Sequence, residues 1–345
     1  MPAVKGITDL RQIQICFQTN CATPGTVTAR LIGTCGIDRE TGRVLPTNPI
    51  GLMSKNIIGR AYDTYYSGVG PLATGEDGLT FQQIIWWLSM GTVGGVVPVP
   101  AAPVYTWTFA PDLDDGDLPD VAHLIYGDNA AEWEGTCGFG TQTKISAAFK
   151  APWQIEMDTI WQNWDNAGVA FETIAYPTPL DTILGQMTTF ALDTTCLFGA
   201  TPTVRECALI DWTLTIPGFH PKYFQDGTMY YNCYGLASRA LSFDFTLEFD
   251  DLLTKAIVWD AYRDGTPLYV QLVATGGVIP GDSGTNYSVT INMCLEIKDA
   301  NPLDTRDGND IQKFTAETVY DVDCADCVEW EIIVVNGEST LPACT

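Results

Sequence analysis

Residues 232–262 read NCYGLASRALSFDFTLEFDDLLTKAIVWDAY, and two hydrophobic periods meet inside them. Leu241, Phe243, Phe245, Leu247 and Phe249 alternate with Ser242, Asp244, Thr246 and Glu248, the pattern of a strand with one buried face. The period then lengthens. Phe249, Leu252, Leu253, Ala256, Ile257 and Trp259 recur at helical spacing behind Asp250 and Asp251, whose carboxylates suit the positive end of a helix. A strand running into an amphipathic helix is the expected unit.

The same unit reads earlier in residues 137–164. Ile145, Ala147 and Phe149 alternate with Lys144, Ser146 and Ala148, after which Trp153, Met157, Ile160, Trp161 and Trp164 share a helical face behind Ala151 and Pro152. A shift of 98 positions lays Ile145 on Phe243 and Trp161 on Trp259. An echo precedes each copy, YTWTF at 105–109 and IDWTL at 210–214. The order of matches predicts a tandem duplication, with one β domain over residues 1–195 and a second over 196–345.

Elsewhere, alternation predicts strands near residues 13–17, 104–109, 188–192, 207–216 and 315–320, a hairpin of 268–274 with 287–297, and a closing strand over 328–335. Residues 79–90 predict a helix: Thr80 and Gln83 have capping-box spacing and Phe81, Ile84, Ile85 and Leu88 form the stripe. Trp86 and Trp87 widen its apolar girth, so it must be deeply packed or covered by a neighbouring chain. The class is mainly β with a few helices.

With 345 residues, 46% of them hydrophobic and 10 of them Trp, the chain has material for a real core. Gly and Pro interrupt the apolar run 93–105 before it reaches spanning length, and no basic segment followed by an apolar one succeeds Met1. A soluble protein made in the cytoplasm is expected. Seventeen basic residues against 42 acidic ones give a formal net charge of −25, and no Lys/Arg cluster is available to neutralise phosphates. Gripping nucleic acid is excluded, whereas a wall past which DNA slides would carry this sign. Plain solubility or salt adaptation would carry it too.

Eleven cysteines without a secretion signal predict mostly reduced thiols, several of them inside strands, as at Cys16 and Cys294. Cys324 and Cys327 have CxxC spacing, but no second pair follows and the chain's two histidines, His123 and His220, lie upstream. They are weak metal candidates, and no metal or cofactor is expected. The acidic run DLDDGDLPD at 112–120 begins like a calcium loop, yet the twelfth position falls on His123 where a Glu is needed. No GxSxG, GxxxxGK or HExxH occurs, and nothing singles out a carboxylate pair among 42 acids. No catalytic residue is assigned.

Residues 79–111 place Thr-Phe, an apolar helix ending Leu88-Ser89-Met90-Gly91, a Gly-Gly turn, a Pro-rich stretch and then Tyr-Thr-Trp-Thr-Phe-Ala-Pro in an order that resembles the tail tube proteins of long-tailed, non-contractile bacteriophages. Strand 238–249, helix 250–262, strand 268–274 and the Asp307-Gly308 loop resemble them too. The resemblance implies a β-sandwich or half-barrel with a flanking helix, joined to others around a ring whose stacked copies enclose DNA. Combined with the duplication, it implies three chains per pseudo-six-fold ring. It further implies a virion tail protein without enzymatic activity. Its partners would be copies of itself, the tape measure, the tail terminator and the baseplate, with DNA passing unbound during ejection and no membrane involved. Residues 54–76 and 299–310 are the expected ring contacts. A carbohydrate-active β-sandwich enzyme or binding module is the alternative from another class, and a capsid or secretion-tube component shares the assembly expectation.

Overall fold

The computed structural model describes residues 10–18, 21, 25–44, 62–92, 99–111, 118–166, 168–177, 180–196, 198, 201–231, 233–236, 240–322, 324 and 329–345. The chain is mainly β, as its alternating stretches require. Apart from single 3-10 turns, helix among the described residues is confined to Ile84–Gly91 and to Thr254–Trp259 running into Asp260–Asp264.

Strands build a broad antiparallel sheet. From one edge it runs through Asp38–Val44, Tyr62–Ala73, Gln154–Trp161, Glu132–Ala148, Leu209–Pro217, Ser242–Glu248, Asn309–Thr318 and Asn286–Ala300. Asn286–Ala300 pairs along one side with Leu268–Val278, the expected hairpin, which in turn pairs with Thr188–Asp193. Along its other side Trp330–Asn336 joins it and carries Val104–Phe109. Residues 1–195 and 196–345 thus contribute blocks of strands to one sheet. Of the residues matched by the 98-position shift, Ile145 and Phe243 lie in one row of it, flanking Leu214, whereas Trp161 is in a strand and Trp259 in a helical turn.

The 17-residue strand Glu132–Ala148 belongs to two sheets at once. Its second half lies in the broad sheet, while its first half pairs with Val121–Gly127, which pairs with Gln12–Gln18. A register shift opposite residues 135–138, with Cys137 at φ 51°, bends the strand between them. Buried between the layers is one apolar cluster that includes Trp87, Trp107, Trp153, Trp161, Phe243 and Phe314. All eight residues of Ile84–Gly91 are buried in this chain's own core, which accounts for the apolar girth at Trp86 and Trp87. Thr80 Oγ1 accepts from Gln83 N at 3.3 Å, while the Gln83 side chain fastens the helix to residues 30–32 by donating to Arg30 O at 2.9 Å and accepting from Ile32 N at 3.1 Å.

Three expectations are corrected. The helix over residues 153–164 is the strand Gln154–Trp161, paired on both sides. Trp153, Met157 and Trp161 are four apart, a spacing that serves either period, but Ile155 and Thr159 between them are also buried while Glu156 and Asp158 are exposed. Secondly, Asp250 does cap the later helix, its Oδ1 accepting from Leu252 N at 2.9 Å and Leu253 N at 2.5 Å. The turns that follow are π-helical, with Val258 N donating to Leu253 O, and this rotates the stripe. Leu252 and Ala256 are exposed, and Leu253, Thr254, Val258 and Ala261 are buried instead.

Thirdly, six cysteines are joined in three disulfides: Cys16 to Cys344, Cys21 to Cys137, and Cys196 to Cys324. Their separations of 328, 116 and 128 residues come together only through strand order, which no local spacing reveals. Cys294 is reduced and buried as expected.

Candidate assembly surfaces

Residues 68–73 of the long strand Tyr62–Ala73 pair with Gln154–Trp161. Residues 62–67 run on past that strand and pair with residues 40–44 of the strand Asp38–Val44, making a two-stranded ribbon at the sheet's edge. Side chains hold the ribbon together. Arg43 donates to both carboxylate oxygens of Asp63, from Nε at 2.7 Å and from Nη2 at 3.0 Å, and Tyr66 OH donates to Oδ2 at 2.8 Å. These donors hold the Asp63 carboxyl at about 2, Arg43 contributing more than Tyr66. Tyr65 OH donates to Glu40 Oε1 at 2.8 Å, and the Arg39 guanidinium lies 4.9 Å from the Tyr66 ring centre.

Residues 223–230 cover the ribbon's flank. Tyr66 N donates to Met229 O at 3.0 Å, and Tyr65 and Tyr66 meet Tyr223 and Tyr230 with ring centres 5.8 and 6.0 Å apart. The outer surface so formed presents Tyr62, Tyr223, Phe224 and Met229, each 44 to 57% exposed. An aromatic surface of this kind on an acidic chain is suited to being covered. Among the described strands Asp38–Val44 has a partner on one side alone.

The solvent face of the broad sheet is the second surface. Alternation sends Glu156, Asp158, Asp211, Asp244, Glu248, Glu296 and Glu317 outward, with Lys144, Lys298 and Lys313 and a background of Ser146, Thr213, Thr215, Ser242 and Thr315. Glu296 and Glu317 stand directly opposite each other, and Lys298 Nζ lies 3.7 and 3.8 Å from their carboxylates. Lys313 stands 4.0 Å from Asp244, while Arg306 Nη1 donates to Asp211 at 2.8 Å. The cations on this face are matched by neighbouring carboxylates, and the surplus is negative.

The residues weighed for metal binding are placed as follows. Cys324 is buried and bridged to Cys196, with 5.7 Å between Cα atoms, and Cys327 lies outside the described residues, as do residues 112–117 of the acidic run. Of the expected ring contacts, residues 62–73 form the ribbon strand, residues 54–61 lie outside the described part, and residues 299–310 make the small hairpin Asp304–Arg306 with Asn309–Thr318. Sequence reasoning missed one cluster altogether: buried Cys16 and His123 and half-buried Cys344 bring their sulfur and nitrogen atoms within 4.8 Å of one another. The positions 16, 123 and 344 carry no spacing signal, and the odd placement of a His in an apolar strand, VAHLIYG, was the one clue available. Neither protein-family models nor curated proteins match this sequence.

Proposed function

We propose that the chain is a structural subunit of a tail tube like those of long-tailed, non-contractile bacteriophages. It assembles with copies of itself into stacked rings, leaves a channel for double-stranded DNA and catalyses nothing. One observation carries this reading: a broad antiparallel sheet with an acidic, hydroxyl-rich solvent face ends in a ribbon whose outer strand is paired on one side alone among the described strands, beside an exposed aromatic flank. Such an edge recruits a strand from a neighbour, and the aromatic flank supplies the apolar area that a lasting contact requires. The sheet face would line the channel. Duplex DNA slides past carboxylates and hydroxyls because they offer its phosphates no counter-charge.

Three chains per ring is the expectation that the internal echo supplies, and tape measure, terminator and baseplate proteins are the partners a tail would add. Negative-stain electron microscopy with native mass measurement, across a concentration and salt series, tests this. Hollow tubes with a three-chain repeat are expected, more abundant at higher salt because added ions screen the acidic chains from one another. Phe224→Asp is expected to leave a folded single chain that does not polymerise. Single chains at every concentration, together with binding to a polysaccharide panel, would overturn the proposal in favour of a carbohydrate-binding module.

A further inference from the structure

His123 is 2% exposed and sits where three segments meet. Its own strand pairs with Gln12–Gln18, in the register His123 opposite Cys16. The segment 342–345 is held against this pair by backbone bonds: Phe17 N donates to Pro342 O, Cys344 N to Phe17 O and Thr26 N to Thr345 O, at 2.7, 3.1 and 2.8 Å. Gly25 admits Cys344 here, because a Cβ on residue 25 would lie 2.6 Å from the Cys344 Cβ. Cys16 Sγ ends 3.9 Å from His123 Nδ1.

The other side of the ring is also specified. Nε2 faces Glu134 Oε1 at 2.7 Å, while Nδ1 faces Gly25 O at 2.6 Å. A carboxylate that holds the Nε2–H, with sulfur beside Nδ1, is the arrangement in which histidine ligates zinc once Nδ1 gives up the proton it donates to Gly25 O and turns its lone pair to the metal. Tetrahedral zinc with Zn–S about 2.3 Å and Zn–N about 2.0 Å separates sulfur from nitrogen by about 3.5 Å, close to the distance found. The two sulfurs are bonded to each other in the structure, so the disulfide and the metal exclude one another.

We propose that Cys16, Cys344 and His123 form a zinc site in the reduced protein, with Glu134 fixing the imidazole and the Cys16–Cys344 disulfide as the metal-free alternative. A dithiol supplies two electrons and two protons to the S–S bond and closes its own disulfide, whereas a phosphine supplies the two electrons and water supplies the two protons and the oxygen of the phosphine oxide; either way two thiols result. Zinc then replaces three protons, which leave to solvent: the two thiol protons and the Nδ1 proton that is donated to Gly25 O in the metal-free protein. Two thiolates and one imidazole match the donor preference of Zn2+ over Mg2+ or Ca2+. In either state residues 342–345 remain fastened to the Gln12–Gln18 strand, by a covalent bond in one and by coordination in the other. The inference is independent of tube assembly.

The full chain, reduced with a phosphine under anaerobic conditions, is titrated with Co2+ and then Zn2+. One tight equivalent is expected, with a thiolate-to-cobalt charge-transfer band that Zn2+ abolishes and that oxidised protein does not develop. Glu134→Gln, at a half-buried position, is expected to weaken metal binding about 10- to 100-fold. Alkylation followed by peptide mapping reads the site without any variant: bound Zn2+ should protect Cys16 and Cys344. Absence of the thiolate band, its persistence in Cys344→Ser, or protection of Cys324 and Cys327 in place of Cys16 and Cys344 would each overturn the proposal.

Discussion

Residues 153–161 and 250–262 carry apolar residues at similar spacing and end up in opposite roles. The first is a strand in the middle of the sheet, with Trp153 and Trp161 fully enclosed. The second is a capped helical turn on the sheet's border, with Trp259 half-buried and Leu252 77% exposed. Spacing of four residues is even as well as helical, so it does not decide between them. The residues in between decide it: Ile155 and Thr159 are β-branched and fit a buried pleat, whereas Asp250 at the head of the later segment caps a helix.

The largest test of this difference is truncation of the two matched tryptophans. Trp161→Ala is expected to destabilise by about 3–5 kcal/mol, because the ring is enclosed and a cavity remains. Trp259→Ala, which loses a half-buried ring and its 2.7 Å donation to Gln312 Oε1, should cost about 1–2 kcal/mol. Urea midpoints with unchanged slopes measure both. Equal costs would mean that the two segments are packed alike and would break the comparison.

A smaller effect sharpens the packing side. Gly138 faces Trp161 so closely that a Cβ there would lie 2.1 Å from the indole. Gly138→Ala should cost about 1–3 kcal/mol through overpacking, and combining it with Trp161→Ala should recover part of that cost because the two sites share one space. A fully additive double variant would show that the residues do not touch.

These contacts mark where the sequence was legible. Strict alternation at Leu241–Phe249 identified a strand and its buried face, since period two in a run of that length has one interpretation. Asp250 identified a helix start because a cap acts locally. The 153–161 strand was misread because its large residues satisfied two periods, and the disulfides and the His123 cluster were not legible, because residues more than 100 positions apart meet only once strand order is fixed. The aromatic ribbon was half legible: residues 54–76 were expected at a contact between rings, but the Arg43–Asp63 pairing depends on a register shift between Thr41 and Arg43.

Asp250→Ala tests the helical member at lower cost, about 1 kcal/mol for a lost N-cap that serves three backbone N–H groups. Hydrogen exchange should accelerate at residues 254–264 and stay unchanged at 154–161. Acceleration in both segments would show that the border helix and the central strand open as one unit.

The smallest expected effect concerns the ribbon that continues the strand member's neighbour beyond the sheet. Asp63 is held at about 2, below the ordinary carboxylate value near 4, chiefly by the Arg43 hydrogen bonds and then by Tyr66. A lowered folded value means that the contribution is fully present above the unfolded value and is lost as pH falls through the folded one. Tightening of the ribbon by Asp63 should therefore be complete at neutral pH and fade between about pH 4 and pH 2. The carboxyl-carbon shift of Asp63, followed by NMR, should titrate with a midpoint about 2, and Arg43→Ala should move that midpoint upward. Because both partners reach solvent, the change in global stability should be too small to alter the urea midpoint, in contrast to the enclosed strand beside it. A midpoint at the ordinary value in the unaltered chain would mean that the ribbon is not fastened by its side chains, and that residues 62–67 rely on strand pairing alone.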